Sequence, residues 1–429
     1  MDIAILLGCL FALFALGVPI AYSLGLAAIA GALWIGVPLE AVMLKISDGV
    51  SKVAMLTIPF FVLAGAIMSE GGMAKRLVAF ANVLVGFVRV KGGLSAVNII
   101  ATTFLSGISG SSVADTSAIG SVMIPQMAKV GYPRAFATNV TISASVQAIL
   151  VPPSHNAVIY SLATGGMISI TSLFMAGVVP GLLLGLALIA LCLFIAYRDG
   201  HPTGESVPLR EAMKITVDAL WGLITIFIII GGILAGVFTA IEAGAVACLW
   251  AFFVTMFVYR DLEWRDWPGL IHRTLKTVAM VMTLIACASS FGYVMALMQL
   301  PAKITAFFLT LSHDPNVILM LINVLLLVLG CLMDMAPLIL ICTPIMLPVV
   351  TTLGVDPVHF GMIMLLNLGI GLLTPPVGAT LFVGCAVGKV TMEEVMREIW
   401  PFYAVMFAVL MLVTYVPVFS LWLPHLLKL

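Results

Sequence analysis

Scored for Asp, Glu, Lys and Arg alone, the chain is silent over 3–39, 135–197, 277–302, 357–388 and 399–427. Runs of that length and apolarity predict membrane-spanning helices, each needing about 20 residues. The stretch 135–197 is long enough for two spans with a break near Gly165-Gly166, and 219–259 for two more with a break near Gly236. Two windows have a polar centre instead. In 92–128 the middle reads Ser106-Gly-Ile-Ser-Gly-Ser-Ser112 and the one charge is Asp115; in 315–355 it reads Gly330-Cys-Leu-Met-Asp-Met-Ala-Pro337 and the one charge is Asp334. A helix over 92–106 would rise only about 22 Å, short of the ~30 Å hydrocarbon core. Both windows are therefore expected to be re-entrant helical hairpins, and irregular backbone at membrane depth belongs beside protein or a water-filled cavity.

Composition removes the remaining classes. Of 429 residues, 62% are apolar and 9% charged, with 19 basic against 19 acidic. Soluble domains carry about a quarter charged residues, so a cytosolic enzyme, a disordered chain and a nucleic-acid binder are excluded. The lipid bilayer is the solvent, with apolar residues enough for roughly ten to twelve segments. Met1-Asp2 and the apolar run after it lack the basic start of a cleaved leader, so this run is expected to stay as a membrane helix. The seven cysteines fall singly in apolar runs and read as packing. Loops carrying Arg198, Arg210 and Lys214, and Arg260, Arg265, Arg273 and Lys276, sit two spans apart and so can share one face, which the positive-inside bias makes cytoplasmic unless 215–259 folds as a re-entrant segment.

Shifted by 223 residues, the sequence aligns with itself without a gap. Gly107 meets Gly330, Pro125 meets Pro348, Gly131 meets Gly354, Pro152-Pro153 meets Pro375-Pro376 and Gly165 meets Gly388. Gly17 to Gly25 resembles Gly236 to Gly244 at a shift of 219. Such a duplication, with interrupted helices in matching places, points to a secondary transporter whose substrate and ions lie between the repeats. The residues leave open whether the repeats run parallel or inverted. The chain is thus expected to be an all-α polytopic membrane protein with two re-entrant hairpins and two Pro-Pro broken helices.

Proline removes a donor and clashes with the preceding turn, so Leu150-Val-Pro-Pro-Ser-His-Asn156 and Leu373-Thr-Pro-Pro-Val-Gly378 should open their helices. The freed carbonyls suit sodium and the freed amides a carboxylate. We expect one sodium cage per repeat, about two ions in all. Ser109, Gly110, Ser111 and Ser112 with Val151 and Pro152 form the first, and Met333, Asp334 and Met335 with Thr374, Pro375 and Gly378 the second. Close helix packing through small residues is the simpler alternative. An ionisable group in a membrane window is a functional candidate, which singles out Asp334. Asp115, followed by Thr116, serves either as an ion ligand or as a helix cap. His155 is a ligand contact or a satisfied core residue, and the role of Glu242 stays open. With no arginine near either tip, an acidic substrate would rest on helix N-termini, hydroxyls and the ions. Protons through either aspartate are an alternative to sodium. Gly384-Cys-Ala-Val-Gly-Lys-Val390 lacks the spacing and the hydroxyl of a P-loop, so no ATPase is implied.

Four segments in order, Thr57 to Gly72, Ser106 to Pro125, Gly236 to Glu242 and Leu372 to Gly378, resemble the large membrane subunit of TRAP transporters, and the likeness covers nearly the whole chain. That resemblance implies a sodium-driven importer of an organic acid, such as a C4-dicarboxylate, a sugar acid or sialic acid, in a bacterial inner membrane. It implies an elevator motion, with 92–166 and 315–390 as the moving transport domain and 1–91, 167–314 and 391–429 as scaffold. It also implies two partners, a small four-helix membrane subunit expected on a separate chain and a soluble periplasmic substrate-binding protein. By position, substrate would lie between Ser112, Ser154, His155, Asn156 and Asp334. Two rivals remain. Gly107-Ile-Ser-Gly110 with His155 could make an intramembrane serine protease, although the second repeat carries Leu332 and Gly378 at those places. Two re-entrant loops at the midplane could also form an ion channel.

Overall fold

The computed structural model describes residues 2–86, 91–202 and 207–428. The ends of the expected segments at 1 and 429, and parts of them at 87–90 and 203–206, lie outside the described residues. Every regular element among the described residues is a helix, as a chain without water to satisfy its backbone requires. Among the described residues, seven helices are long and apolar enough to cross a membrane, or up to nine if each bent pair counts as one span. The rest of the apolar residues go into helices of 10–17 residues, so the composition-based ten to twelve exceeds the number of full-length spans.

Both polar-centred windows fold as helix, tip, helix. Gly93–Ser109 and Ser112–Lys129 flank the first tip, and Pro315–Leu332 and Met335–Thr352 the second. The first pair runs antiparallel, because Asn98 Nδ2 reaches Met127 Sδ at 3.7 Å while Ser106 Oγ bonds Asp115 Oδ2 at 2.6 Å. The first hairpin helix extends three residues beyond the expected 106, to Ser109. Both Pro-Pro segments interrupt helices as anticipated. Arg134–Leu150 and His155–Ala163 meet at 45°, and Pro357–Gly371 is separated from Ala379–Gly388 by 372–378. Both Pro-Pro peptides are cis.

The relative direction of the repeats follows from the contacts of the broken helices. A Cβ at Gly369 would lie 2.9 Å from Ile149 and 3.0 Å from Val146, whereas Tyr160 OH donates to the Pro357 carbonyl at 2.8 Å. Moving forward along one broken helix therefore means moving backward along the other, so equivalent elements oppose each other and the repeats are inverted. They also interlock. The returning helix Ser112–Lys129 packs on Ala379–Gly388, and Met335–Thr352 on His155–Ala163, so each hairpin leans on the broken helix of the other repeat.

Around this centre, Trp267–Leu297 packs along Ile20–Trp34 and Leu39–Ser51, and Ala240–Phe253 along Thr57–Glu70. The 30-residue helix Ile170–Asp199 lies against the first break, where Gly177 and Gly181 admit Leu150 and Val151, the small-residue approach that helices use in lipid. Glu242, left open by the sequence, completes a capping box. Its carboxylate accepts from Thr239 N at 2.8 Å while its own N–H donates to Thr239 Oγ1 at 3.3 Å, satisfying two helix-end donors.

Candidate functional site

Gly93–Ser109 ends on Gly110 in the left-handed region (φ +61°), and Ser111 turns extended to open the next helix. Ser111 is that helix's cap, its side chain accepting from Ala114 N at 3.4 Å. The Asp115 carboxylate makes no cap bond and accepts from Ser106 Oγ and from Ser109 Oγ. Two hydroxyls of the incoming helix therefore hold the one carboxyl group of the hairpin, which is fully buried. Ser109 gives its proton to Asp115 and not to His155, an arrangement unlike a serine–histidine dyad.

The first tip rests on the first break. Gly110 lies against the Pro153 carbonyl and has His155 N 3.3 Å from the place of a Cβ. Ser154 caps the helix that resumes at His155, accepting from Ala157 N at 3.4 Å. The second tip repeats the arrangement. Val377 N donates to the Cys331 carbonyl at 3.1 Å, and Gly330 and Gly371 touch backbone to backbone. Met333 is extended, and Asp334 opens the returning helix without making a side-chain cap bond.

Within the breaks, the carbonyls of Val151, Pro152 and Pro153, and of Pro375, Pro376 and Val377, receive no backbone N–H. Each tip thus carries oxygens next to a break with unspent carbonyls, the hydroxyls of Ser109 and Ser111 in one repeat and the Met333 carbonyl and Asp334 carboxylate in the other; Thr374 Oγ1, inside the second break, donates to the Ile370 carbonyl at 3.0 Å. Hydroxyl, carbonyl and carboxylate oxygens are the donor chemistry of a hard cation, so the residues present fit sodium. Gly110 and Gly378 contribute close approach, and Met335 is buried apolar contact.

A cavity of about 920 Å³ lies between the tips and the helices Thr57–Glu70 and Trp267–Leu297. Ser109, Ser111, Ser112, His155, Asn156 and Asp334 all line it. Of the expected substrate contacts only Ser154 is absent from the wall, being fully buried as a cap. No Arg or Lys among the described residues lines the cavity. At its edge, Arg273 Nη2 donates to the lining residue Glu70 at 2.6 Å.

Sequence reasoning missed a hydroxyl cluster that joins the repeats. Ser112 Oγ lies 2.9 Å from Thr380 Oγ1 and 3.0 Å from Ser145 Oγ, to which Thr116 Oγ1 also donates at 2.9 Å. Thr116 therefore takes part in this lock and not in a cap. The aligned places in the other repeat are Met335, Leu368 and Ala157, so the cluster exists on one side only and self-comparison of the sequence could not reveal it. A Ser112→Ala, Thr380→Val double-mutant cycle read by thermal unfolding is expected to give a coupling of about 1 kcal/mol, the net worth of one buried neutral hydrogen bond; additive effects would mean the contact does not join the repeats.

Comparison with known proteins places this geometry. Residues 7–419 match the family model described as the tripartite ATP-independent periplasmic transporter, DctM component. The chain is 39% identical to the C4-dicarboxylate TRAP transporter large permease protein DctM of Rhodobacter capsulatus, over 100% of both chains. It is 38% identical to the sialic acid TRAP transporter large permease protein SiaM of Vibrio cholerae, over 98% of this chain and 97% of the relative. It is also 40% identical to an uncharacterized protein, YgiK, of Salmonella typhimurium, over 99% and 97%. The crystal structure of the Alcanivorax borkumensis YdaH transporter, at 15% identity, superposes with a TM-score of 0.62 over 90% of each chain, a likeness of fold. The chain belongs to the DctM family, the large permeases of tripartite ATP-independent periplasmic transporters, and is a multi-pass protein of the bacterial inner membrane.

Proposed function

We propose that this permease is a sodium-coupled symporter that imports an organic acid, a C4-dicarboxylate, a sugar acid or sialic acid, by an elevator motion. The observation that carries the reading is the pairing, in inverted repeats, of a polar hairpin tip with a break of unspent carbonyls, both beside one cavity. Inverted repeats with helix termini at the midplane are the construction of secondary transporters. Ser109, Ser111 and the carbonyls of 151–153 would hold one sodium, and Asp334, the Met333 carbonyl, Thr374 and the carbonyls of 375–377 the other. Sodium supplies positive charge to a cavity whose wall offers none, so an anionic substrate meets Asp334 only after it is neutralised. Ser112, His155 and Asn156 would then orient the substrate by hydrogen bonds. A small four-helix membrane subunit and a periplasmic substrate-binding protein would complete the assembly.

The cavity reaches the surface beside Glu70, which also lines a charged recess with Lys75, Arg76, Asp218 and Asp261. Arg76 joins Asp218 and Asp261 across that face at 3.0 and 2.5 Å. Lys75, Arg76 and Arg273 share that face with Glu70, Asp218 and Asp261, and because the positive-inside rule counts the basic residues we read the face as cytoplasmic and the conformation as inward-facing.

The test is thermal unfolding of the purified permease, with and without its small membrane partner, in sodium chloride against choline chloride at equal ionic strength. A ligand bound only by the folded state stabilises as RT ln(1 + [L]/Kd), about 2.7 kcal/mol at a hundredfold excess over Kd. A sodium-specific rise is expected. Substrate binding that survives complete removal of sodium would sink the coupling.

A further inference from the structure

Each cage draws its oxygens from two separate elements, a hairpin tip and a helix break, so something must hold those elements in register. In the first repeat, Thr103 Oγ1 on the hairpin shares its one proton between Gln147 Oε1 on the broken helix at 2.7 Å and its own helix's Ile99 carbonyl at 2.9 Å, and one to two turns further back Asn98 Nδ2 donates to Thr141 Oγ1 at 2.7 Å. In the second, Asn367 Nδ2 on the broken helix donates to the Asn323 side-chain oxygen at 2.8 Å and to the Asn323 carbonyl at 3.0 Å. Asn323 is itself held, donating to Thr414 Oγ1 at 3.0 Å. Gln147, Asn98, Thr141, Asn323 and Asn367 are all within 1% of full burial.

The placement is systematic. Thr103–Gln147 and Asn323–Asn367 each bridge 44 residues. Under the 223-residue shift Thr103 and Gln147 correspond to 326 and 370, so both members of the second clamp sit three residues earlier, nearly one turn along the same helix faces. The residue types differ while the geometry recurs. In both repeats the clamped helices run parallel toward the tip and the break, and a second contact closes the far end, Gly110 on Pro153 and Gly330 on Gly371.

We propose that Thr103–Gln147 and Asn323–Asn367 are the positioning residues of the two ion cages: hydrogen-bonded clamps, the first partly and the second fully buried, that fix how far each tip advances along its break, and hence whether the oxygens converge. The proposal rests on the sodium reading above. Side chains that lock supporting elements govern affinity without touching the ligand. Neither clamp lines the cavity, so substrate contact is untouched by its removal.

The experiment titrates sodium against the melting temperature of the full permease, and separately measures substrate KM at saturating sodium in liposomes. Thr103→Val is close to isosteric and removes only the hydroxyl; Thr103→Ser restores it; Asn367→Leu tests the second clamp. Asn139→Leu is the control, because Asn139 lies on the same broken helix and is fully buried but bonds the Val395 carbonyl at 3.0 Å, not the hairpin. Thr103→Val is expected to raise the sodium half-saturation roughly fivefold, the worth of one intramolecular hydrogen bond of about 1 kcal/mol, with KM within about twofold, and Thr103→Ser to return it. Asn139→Leu is expected to lower the melting temperature without moving the half-saturation. An unchanged half-saturation in Thr103→Val, or an equal shift in Asn139→Leu, would overturn the clamps while leaving sodium coupling intact. A wild-type protein indifferent to sodium would overturn the coupling itself, and the clamps with it.

Discussion

Asp334→Ala is expected to abolish sodium-driven uptake while leaving a folded protein. Asp334 faces the cavity at the head of Met335–Thr352, and its carboxylate makes no cap bond. Removing it therefore orphans no side-chain partner, the loss of which is a usual source of large destabilisation. What disappears is the charged member of the second oxygen set. A hydrogen bond or contact to a charged group is worth about 1.5–3 kcal/mol, or roughly 10–100-fold in ion affinity, and a coupled carrier loses transport with its ion. The melting temperature in choline should stay within a few degrees of wild type, and the sodium-specific rise should shrink to the part contributed by the first cage. Asp334→Asn, which keeps one acceptor oxygen, is expected to fall between the two. Liposome uptake under an imposed sodium gradient, paired with the melting curves, reads both effects. A full sodium response in Asp334→Ala would remove this residue from the ion site.

The membrane spans, the hairpins and the breaks were legible because each is written in a one-dimensional pattern: a charge-free run, a Gly/Ser centre or a Pro-Pro pair. The duplication was legible because 223 residues separate like from like without a gap. The inversion was not, since it is visible only where Val146 and Ile149 face Gly369 while Tyr160 faces Pro357. Individual hydroxyls carry no pattern either. Ser145 and Thr380 look like small polar residues in apolar helices until Ser112 is seen between them. Asp115 shows the same boundary. An acid three residues into a helix reads equally as a cap or as an ion ligand, and only the structure shows that Ser111 fills the cap while two serines behind the tip donate to the carboxylate. Glu242 is the opposite case, for Thr239-Ala-Ile-Glu242 spells a capping box that could have been assigned from sequence.

Gly110→Ala is expected to be among the most damaging single-methyl additions in the chain. Two terms add. Gly110 sits at φ +61°, ψ 15°, where an L side chain costs roughly 1–2 kcal/mol. The new Cβ would also overlap the Pro153 carbonyl oxygen and press on His155 N. These neighbours are backbone and cannot rotate away, so tip and break must separate, and overpacking of that kind costs typically 1–3 kcal/mol. The sum, about 2–5 kcal/mol, is a large part of the 5–15 kcal/mol that holds a typical domain folded. Separation also disperses the first oxygen set, so the sodium half-saturation should rise together with the fall in melting temperature. Gly354→Ala isolates the backbone term, because Gly354 has φ +78° but nothing within 4 Å of its Cβ position. That variant should lose stability by the conformational cost alone and keep wild-type sodium affinity. If Gly110→Ala did no more than Gly354→Ala, the first tip would not rest on the Pro152-Pro153 break, and the first cage would have to be sought elsewhere.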